Sequence, residues 1–175
     1  MYWYVLFVRT GREHRVEHLL KETLDNNVFM PFVPLLEVVF KKAGVVKKEV
    51  KPLFPSYVFI ESELLCQQFI KRISTFIHLS SDIIRVLSYC DTEIAMRECE
   101  KQMILSLCNN DYCIESSVGI IEGSKIHIIE GPLKGLESVV KKVNRHKRQA
   151  LIELEFMGDI RVVNVGLDIV EKIPS

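Results

Sequence analysis

The sequence lacks an excess of charge of either sign, because 23 lysines and arginines are matched by 23 aspartates and glutamates. This balance excludes a uniformly basic protein, so any nucleic-acid site has to be a local cluster. Long apolar runs are also missing, since no stretch approaches the roughly 20 apolar residues that a membrane span needs. Arg9 interrupts the first apolar stretch and no basic region precedes that stretch, unlike a secretory signal. We therefore expect a cytoplasmic protein that does not bind membranes.

Cysteine is scarce, and none of the five cysteines forms a Cys-x-x-Cys pair. We expect reduced, mostly buried thiols, with neither a disulfide framework nor a metal site. No P-loop, His-Glu-x-x-His motif or Gly-rich dinucleotide loop occurs, so we expect no cofactor and no catalytic residues. A minor alternative is an enzyme with Cys66 as nucleophile, His78 as base and Asp82 as orienting group, although nothing in the spacing brings the three together.

What the chain does contain is 48% hydrophobic and 26% charged residues in a length of 175, as in a globular protein of one domain or two small ones. Its most distinctive stretch is the proline-aromatic segment, residues 51–61 (KPLFPSYVFIE). Pro52 and Pro55 each fix their own backbone φ and donate no strand hydrogen bond, so they predict a conformationally restricted segment that leads into a strand. On that strand Tyr57 and Phe59 share one face. The pattern alone leaves open whether this face is core or displayed.

The first hundred or so residues predict the order β-α-β-β-β-α-β-α. A strand at residues 3–8 precedes a helix at about 12–26, and an irregular, proline-containing entry at 29–40 leads into a hairpin with its tip at 41–44. Ser62 is the expected N-cap of the second helix, and Asp91 or Thr92 caps the third, whose expected stripe is Met96, Cys99, Met103 and Leu107. Hairpins mixed with helical crossovers favour an antiparallel-rich α+β sandwich.

A polar interval that begins at Asn109 is the best domain boundary, and it divides the chain into residues 1–109, a linker at 110–118 and a second domain at 119–175. In the second domain, short strand candidates at 125–130, 138–144, 150–156 and 160–165 alternate with glycines. This pattern predicts a small all-β barrel of about five strands.

Residues 141–148 (KKVNRHKR), here called the basic segment, hold five lysines and arginines and no acid. Such a cluster in a neutral chain creates a local positive potential. Arginines can fork onto phosphates or guanine edges, and Asn144 and His146 add hydrogen-bonding groups. We expect residues 145–148 to lie on the hairpin loop between two strands, and the segment to bind nucleic acid. The alternative is a solvated loop tip.

The hairpin expected around residues 41–51 is also rich in lysine, with Lys41, Lys42, Lys47, Lys48 and Lys51 against the single acid Glu49. Lysines on an exposed strand commonly protect the edge of a sheet. A weak contact with nucleic acid or an acidic partner is the other interpretation.

Two groups of residues resemble the NusG family of transcription elongation factors. Residues 3–11 and 54–61 are similar to its N-terminal NGN domain. Gly123, Ile126 and residues 129–143 (IEGPLKGLESVVKKV) are similar to its C-terminal KOW domain, an SH3-like barrel. One departure is Ser138, where the KOW pattern usually has Gly or Ala. The order and spacing of both motifs match over nearly the whole chain.

The resemblance implies a monomeric transcription factor without enzymatic activity. Its NGN domain would bind the clamp helices of RNA polymerase through a hydrophobic surface and bridge the cleft that holds DNA in the elongation complex. The matching positions are Phe7, Phe54, Pro55, Tyr57 and Phe59.

The sequence of residues 52–59 resembles specialised paralogues such as RfaH and LoaP more closely than it resembles the housekeeping factor. The LoaP type is the best match. This implies an antiterminator that reads an RNA hairpin in the nascent transcript, with Lys141, Lys142, Asn144, Arg145, His146, Lys147 and Arg148 as its RNA contacts. The alternative is a housekeeping factor whose KOW domain binds a ribosomal protein or Rho, with Phe156 and Met157 as an exposed apolar contact.

Overall fold

The computed structural model describes residues 1–174, and of Lys41 and Lys42 it describes the backbone alone. Residues that pack together form two compact units. Unit 1 comprises Met1–Pro34, Phe54–Lys101 and Phe156–Gly158, and unit 2 comprises Leu35–Leu53, Gln102–Glu155 and the residues from Asp159 onward. The fold is α+β, with helices and a sheet in the N-terminal part and a β-rich C-terminal part, as predicted. The domain limits predicted above differ from those of the units and stay predictions.

Within residues 1–174 the strands are β1 (Tyr2–Val8), β2 (Met30–Phe32), β3 (Leu35–Lys42), β4 (Val45–Pro52), β5 (Tyr57–Ser62), β6 (Ile83–Val86), β7 (Cys113–Ile114), β8 (Ser117–Glu122), β9 (Lys125–Glu130), β10 (Val140–Asn144), β11 (Gln149–Phe156) and β12 (Asp159–Ile173). The α-helices are α1 (Glu13–Thr23), α2 (Cys66–Ile77) and α3 (Glu98–Leu107), and a 3-10 turn spans Glu137–Val139.

The sheet of unit 1 has the strand order β2-β5-β1-β6, and β1 pairs antiparallel with both of its neighbours. Successive side chains of β1 alternate between two buried faces. Tyr4 stacks on Phe69 of α2 with ring centroids 3.7 Å apart, whereas Trp3 meets Phe59 of β5 edge-on at 5.8 Å. Because Trp3 and Tyr4 are both 0% exposed, β1 forms the centre of the core.

Unit 2 contains a five-stranded sheet of order β10-β11-β12-β8-β9 and a three-stranded sheet of order β4-β3-β7. Its core consists of apolar residues from the larger sheet and the loop after β9, chiefly Leu133, Ile152, Leu154, Val165 and Leu167. At Gly131 the backbone has a φ of 101°, and a Cβ there would lie 2.6 Å from the Cα of Ser117. Glycine is therefore required for the loop to close against β8.

The starts of two predicted helices are wrong. α2 begins at Cys66, and Ser62 is instead the last residue of β5, where its Oγ accepts a hydrogen bond from the Leu64 amide at 3.2 Å. α3 begins at Glu98, because the preceding segment pairs with β1: the Met96 amide donates to the Trp3 carbonyl at 2.7 Å. Backbone pairing with a distant strand thus outweighs the local capping signal.

The polar interval after Asn109 contains strand β7 and the start of strand β8, neither of which was predicted. β7 pairs parallel with β3, with Cys113 opposite Leu35, and β8 begins at Ser117. A Cβ on Gly119 in β8 would lie only 2.9 Å from the His127 carbonyl oxygen of β9. The glycine therefore permits a close strand approach.

The five cysteines are free thiols, but only Cys113 is buried, whereas Cys90 and Cys99 are exposed. The expectation of mostly buried thiols is therefore wrong. None of the helices described here is long and apolar enough to cross a membrane.

A buried carboxylate holds the corner that leads into β5. Oε1 of Glu13, at the start of α1, accepts hydrogen bonds from the Ser56 amide at 2.6 Å and the Gly11 amide at 3.1 Å. Ser56 has a φ of 75°, which is unusual for a residue with a side chain, and its carbonyl accepts a hydrogen bond from Val8. Burial by itself would raise the pKa of Glu13, but the amides of Ser56, Glu13 and Gly11 outweigh burial, so the pKa lies below its usual value of 4.5.

Glu13→Gln should destabilise the protein at neutral pH by about 1–2 kcal/mol, because a carboxylate accepts amide hydrogen bonds more strongly than a neutral carbonyl. A lowered pKa in the folded state contributes stability above the unfolded value near 4.5 and loses that contribution as pH falls through the folded value. The stability difference between wild type and variant, measured by urea unfolding from pH 7 to pH 3, should therefore shrink below about pH 4.5.

Glu63→Gln is the matched control, because the Glu63 side chain is exposed in the same unit. A Glu13→Gln destabilisation that stays constant across the pH range would contradict this role for the charge.

Candidate functional site

Strands β1 and β5 place two of the predicted docking aromatics opposite each other. Phe7 and Tyr57 are register partners, and their ring centroids lie 5.5 Å apart. Both side chains are half-buried, and Pro55, just before the corner at Ser56, is exposed. We call Phe7, Pro55 and Tyr57 the aromatic patch. Two paired strands and the Glu13 corner fix its backbone, so its rings are presented with little conformational freedom.

The other two predicted docking residues are core residues. Phe59 is 0% exposed and Phe54 is 4% exposed. Phe54 stacks on Phe156 with ring centroids 4.4 Å apart, and Phe59 packs against Trp3. The face shared by Tyr57 and Phe59 is therefore buried at Phe59 and half-exposed at Tyr57. Phe54 and Phe59 support the aromatic patch from within unit 1.

The apolar contact expected from Phe156 is not exposed. Phe156 is 1% exposed, because its ring also lies 4.8 Å from that of Tyr57 and 5.9 Å from that of Phe59, all within unit 1. Met157 is half-buried and has a φ of 51°.

The basic segment forms the hairpin loop that was predicted, with residues 145–148 as the turn between β10 and β11. Asn144 Oδ1 accepts a hydrogen bond from the Lys147 amide at 3.0 Å, and the Arg148 amide donates to the Arg145 carbonyl at 3.2 Å. The turn is thus closed by its own polar groups. The exposed members of the segment are Lys141, Lys142, Asn144, Arg145, His146 and Lys147, whereas Arg148 is half-buried.

Two of the five cations have acidic partners from neighbouring strands. Arg148 Nη1 lies 3.1 Å from Asp168 Oδ2 of β12, and Lys141 Nζ lies 3.7 Å from Glu153 Oε2 of β11. The segment itself contains no acid, but the sheet brings distant acids beside these two cations. In the part of the chain that the structure describes, Lys142, Arg145 and Lys147 form no ion pair.

The lysines around residues 41–51 lie on β3 and β4, and β4 is an edge strand. The side chains of Lys41 and Lys42 lie outside the described residues. Lys47, Lys48 and Lys51 are exposed, and Lys48 pairs with Glu37 at 3.1 Å.

The structure disfavours the alternative of an enzyme with Cys66 as nucleophile and His78 as base. Cys66 is the first residue of α2 and His78 is its C-cap. Twelve helical residues rise about 18 Å at 1.5 Å each, which is too far for a nucleophile and its base. Among the described residues no group of three or more His, Cys, Asp or Glu side chains could hold a metal ion.

Glu13 is a residue that sequence reasoning missed. Its position two residues after Gly11 suggests only an acidic first helical turn, and nothing local indicates that its acceptor atom reaches Ser56, 43 positions away. Only the folded chain brings the two together.

Comparison with known proteins agrees with this architecture. A family model described as "Transcription termination factor nusG" matches residues 1–105. Three similar proteins carry the name "Transcription termination/antitermination protein NusG". That of Haemophilus influenzae is 24% identical and covers 98% of this chain and 94% of its own length. That of Pseudomonas aeruginosa is 25% identical over 98% of both chains. That of Neisseria meningitidis serogroup B is 25% identical, covering 98% and 97%.

The family match spans more than half of the chain, and the relatives align over nearly all of it. The sheet with its half-exposed aromatics lies within the matched residues, and the KOW-like β-rich part follows them. This chain belongs to the NusG family of transcription factors.

Proposed function

We propose that this NusG-type factor is a cytoplasmic, monomeric antiterminator of the LoaP type. It binds the clamp helices of RNA polymerase through the aromatic patch and a hairpin of the nascent RNA through the basic segment. Held in this way, it promotes readthrough of terminators. The observation that carries the RNA half of the proposal is the set of exposed, unpaired cations on one hairpin.

The aromatic patch supports the polymerase half of the proposal. Recognition of an amphipathic helix depends on a few rigid aromatic side chains on an apolar surface. Phe7 and Tyr57 are half-buried and meet across paired strands, so little side-chain entropy remains to be lost on binding.

The charge distribution of the basic segment supports the RNA half. Lys142, Arg145 and Lys147 are exposed and form no ion pair with a described residue, so binding to phosphates breaks no internal pair. The neutral net charge of the chain leaves the surrounding surface without a general affinity for nucleic acid. The Arg148–Asp168 pair at 3.1 Å would hold the turn in place.

A second candidate is a general elongation factor whose KOW domain binds a ribosomal protein or Rho. The name of the relatives, which covers termination as well as antitermination, favours it. Strong binding to either protein with no preference for any RNA would favour this general factor over the proposed antiterminator.

Tyr57→Ala should weaken binding to RNA polymerase by about tenfold or more, because buried aromatic contacts dominate such interfaces. Its affinity for RNA should stay unchanged. The measurement is direct titration of purified polymerase and, separately, of the RNA.

Tyr2→Ala is the matched control, because Tyr2 is 42% exposed at the other end of β1. Phe59→Ala is unsuitable as a docking test, since Phe59 is fully buried and its loss should cost about 3–5 kcal/mol of folding free energy. Equal loss of polymerase and RNA binding in Tyr57→Ala would mean that the side chain only stabilises the fold.

Replacing Arg145 and Lys147 together with Ala should weaken binding to RNA hairpins selected in vitro against the full-length protein. Each lost phosphate contact should flatten the slope of log affinity against log salt by about 0.7 for single-stranded and 0.9 for duplex contacts. The slope is measured between 50 and 300 mM salt.

The matched control is the double variant Lys125→Ala/Lys134→Ala. It also removes two positive charges, and both lysines are exposed in unit 2. If the Arg145/Lys147 variant keeps wild-type affinity and slope, the basic segment does not hold RNA.

A further inference from the structure

A small cleft lies beside the turn of the basic segment. Its volume is about 270 Å³, and its lining residues are Phe40, His146, Lys147, Arg148 and Gln149. All five belong to unit 2. Phe40 therefore places an aromatic side chain from β3 next to a turn that is over a hundred positions away in the sequence.

The Phe40 ring is partly exposed although it is large and apolar. On β4 the register partner of Phe40 is Lys47, which is exposed. Lys147 is one of the residues that line the cleft. Neither lysine forms an ion pair in the described part of the chain. The aromatic side chain thus has two available cations in its surroundings, Lys147 in the lining of the cleft and Lys47 on the strand paired with β3.

The acid beside the cleft is already engaged. Asp168 Oδ2 pairs with Arg148 Nη1 at 3.1 Å, so its charge is compensated. The remaining lining groups are the imidazole of His146 and the amide of Gln149, which can stack on or hydrogen-bond to a base edge. The cleft is therefore apolar at Phe40, polar at His146 and Gln149, and positively charged at Lys147.

This combination fits one planar group flanked by phosphates. The cleft is slightly smaller than the roughly 300–1,000 Å³ of pockets that enclose drug-sized ligands. RNA is read chiefly at unpaired bases, which splay out and stack on aromatic or imidazole rings. A base–aromatic stack tolerates any base, because every base has a π-face.

We propose that Phe40 is a stacking platform for one unpaired base of the RNA held by the basic segment. The inference rests on the proposed RNA-binding function and narrows its ligand to a hairpin with a bulged, loop or flanking nucleotide beside the stem. Lys47 and Lys147 hold the phosphates on either side of that nucleotide. A continuous duplex without an unpaired base would leave the Phe40 surface empty.

The test uses the full chain and an RNA hairpin selected against it, with 2-aminopurine placed at each unpaired position in turn. In the wild type, one position should lose fluorescence on binding. Phe40→Leu keeps the apolar bulk and removes the aromatic ring. It should abolish that quenching and lower affinity about fivefold to a hundredfold, the range for a single base–aromatic stack. Its salt slope should stay that of the wild type, because the phosphate contacts remain.

Phe40→Trp should restore quenching and affinity, and Val45→Ala, an exposed change in the same hairpin, should alter neither. A fully paired duplex of the same stem should bind wild type and Phe40→Leu equally.

Wild-type quenching in Phe40→Leu, or quenching at no position in the wild type, would overturn the stacking proposal while the RNA function stands. If the Arg145/Lys147 variant also binds RNA like the wild type, the RNA function itself fails and this inference fails with it.

Discussion

Strand β1 is buried on both faces, and the organisation of unit 1 depends on this constraint. Trp3 and Tyr4 are both 0% exposed, one against β5 aromatics and the other against α2. A slip of one residue in the β1–β5 register would exchange these two faces, so the register is strongly specified. Because the register is specified, Tyr57 has to lie opposite Phe7, and the aromatic patch follows from the packing of the core.

The corner at Ser56 links that core to the proposed docking surface. Ser56 has a φ of 75°, and the Glu13 carboxylate accepts its amide hydrogen bond at 2.6 Å. A short, charge-assisted hydrogen bond offsets the strain of an unusual backbone conformation. The same bond connects the start of α1 to the start of β5, so the placement of Tyr57 depends on a residue outside its own strand.

Electrostatics in this protein is local. A chain with 23 charges of each sign has no general attraction for nucleic acid, so its binding potential depends on which cations stay unpaired after folding. β11 and β12 neutralise Lys141 and Arg148, whereas Lys142, Arg145 and Lys147 project from the hairpin without a described acidic partner. The sheet thus concentrates the positive potential at the turn and its exposed flank.

Much of the fold was predictable because its signals are local. The aromatic and β-branched residues at 3–8, the prolines before Tyr57 and the strand candidates separated by glycines after residue 119 each predict an element from local residues. Predictions of element boundaries failed where pairing with a residue distant in the sequence determines the local structure. The segment before α3 pairs with Trp3, and β8 begins at Ser117, within the polar interval predicted to be a linker. Local capping and turn signals cannot report such contacts.

The sequence by itself determined the α+β class, the family resemblance, the proline-aromatic segment and the position of the basic segment. Only the tertiary structure decided which of those residues are available. It buries Phe54 and Phe59, leaves Phe7 and Tyr57 half-exposed, pairs Arg148 with Asp168 and brings Phe40 beside His146. The physical reason is that composition and periodicity report what a residue can do, whereas exposure and pairing depend on neighbours that are distant in the chain.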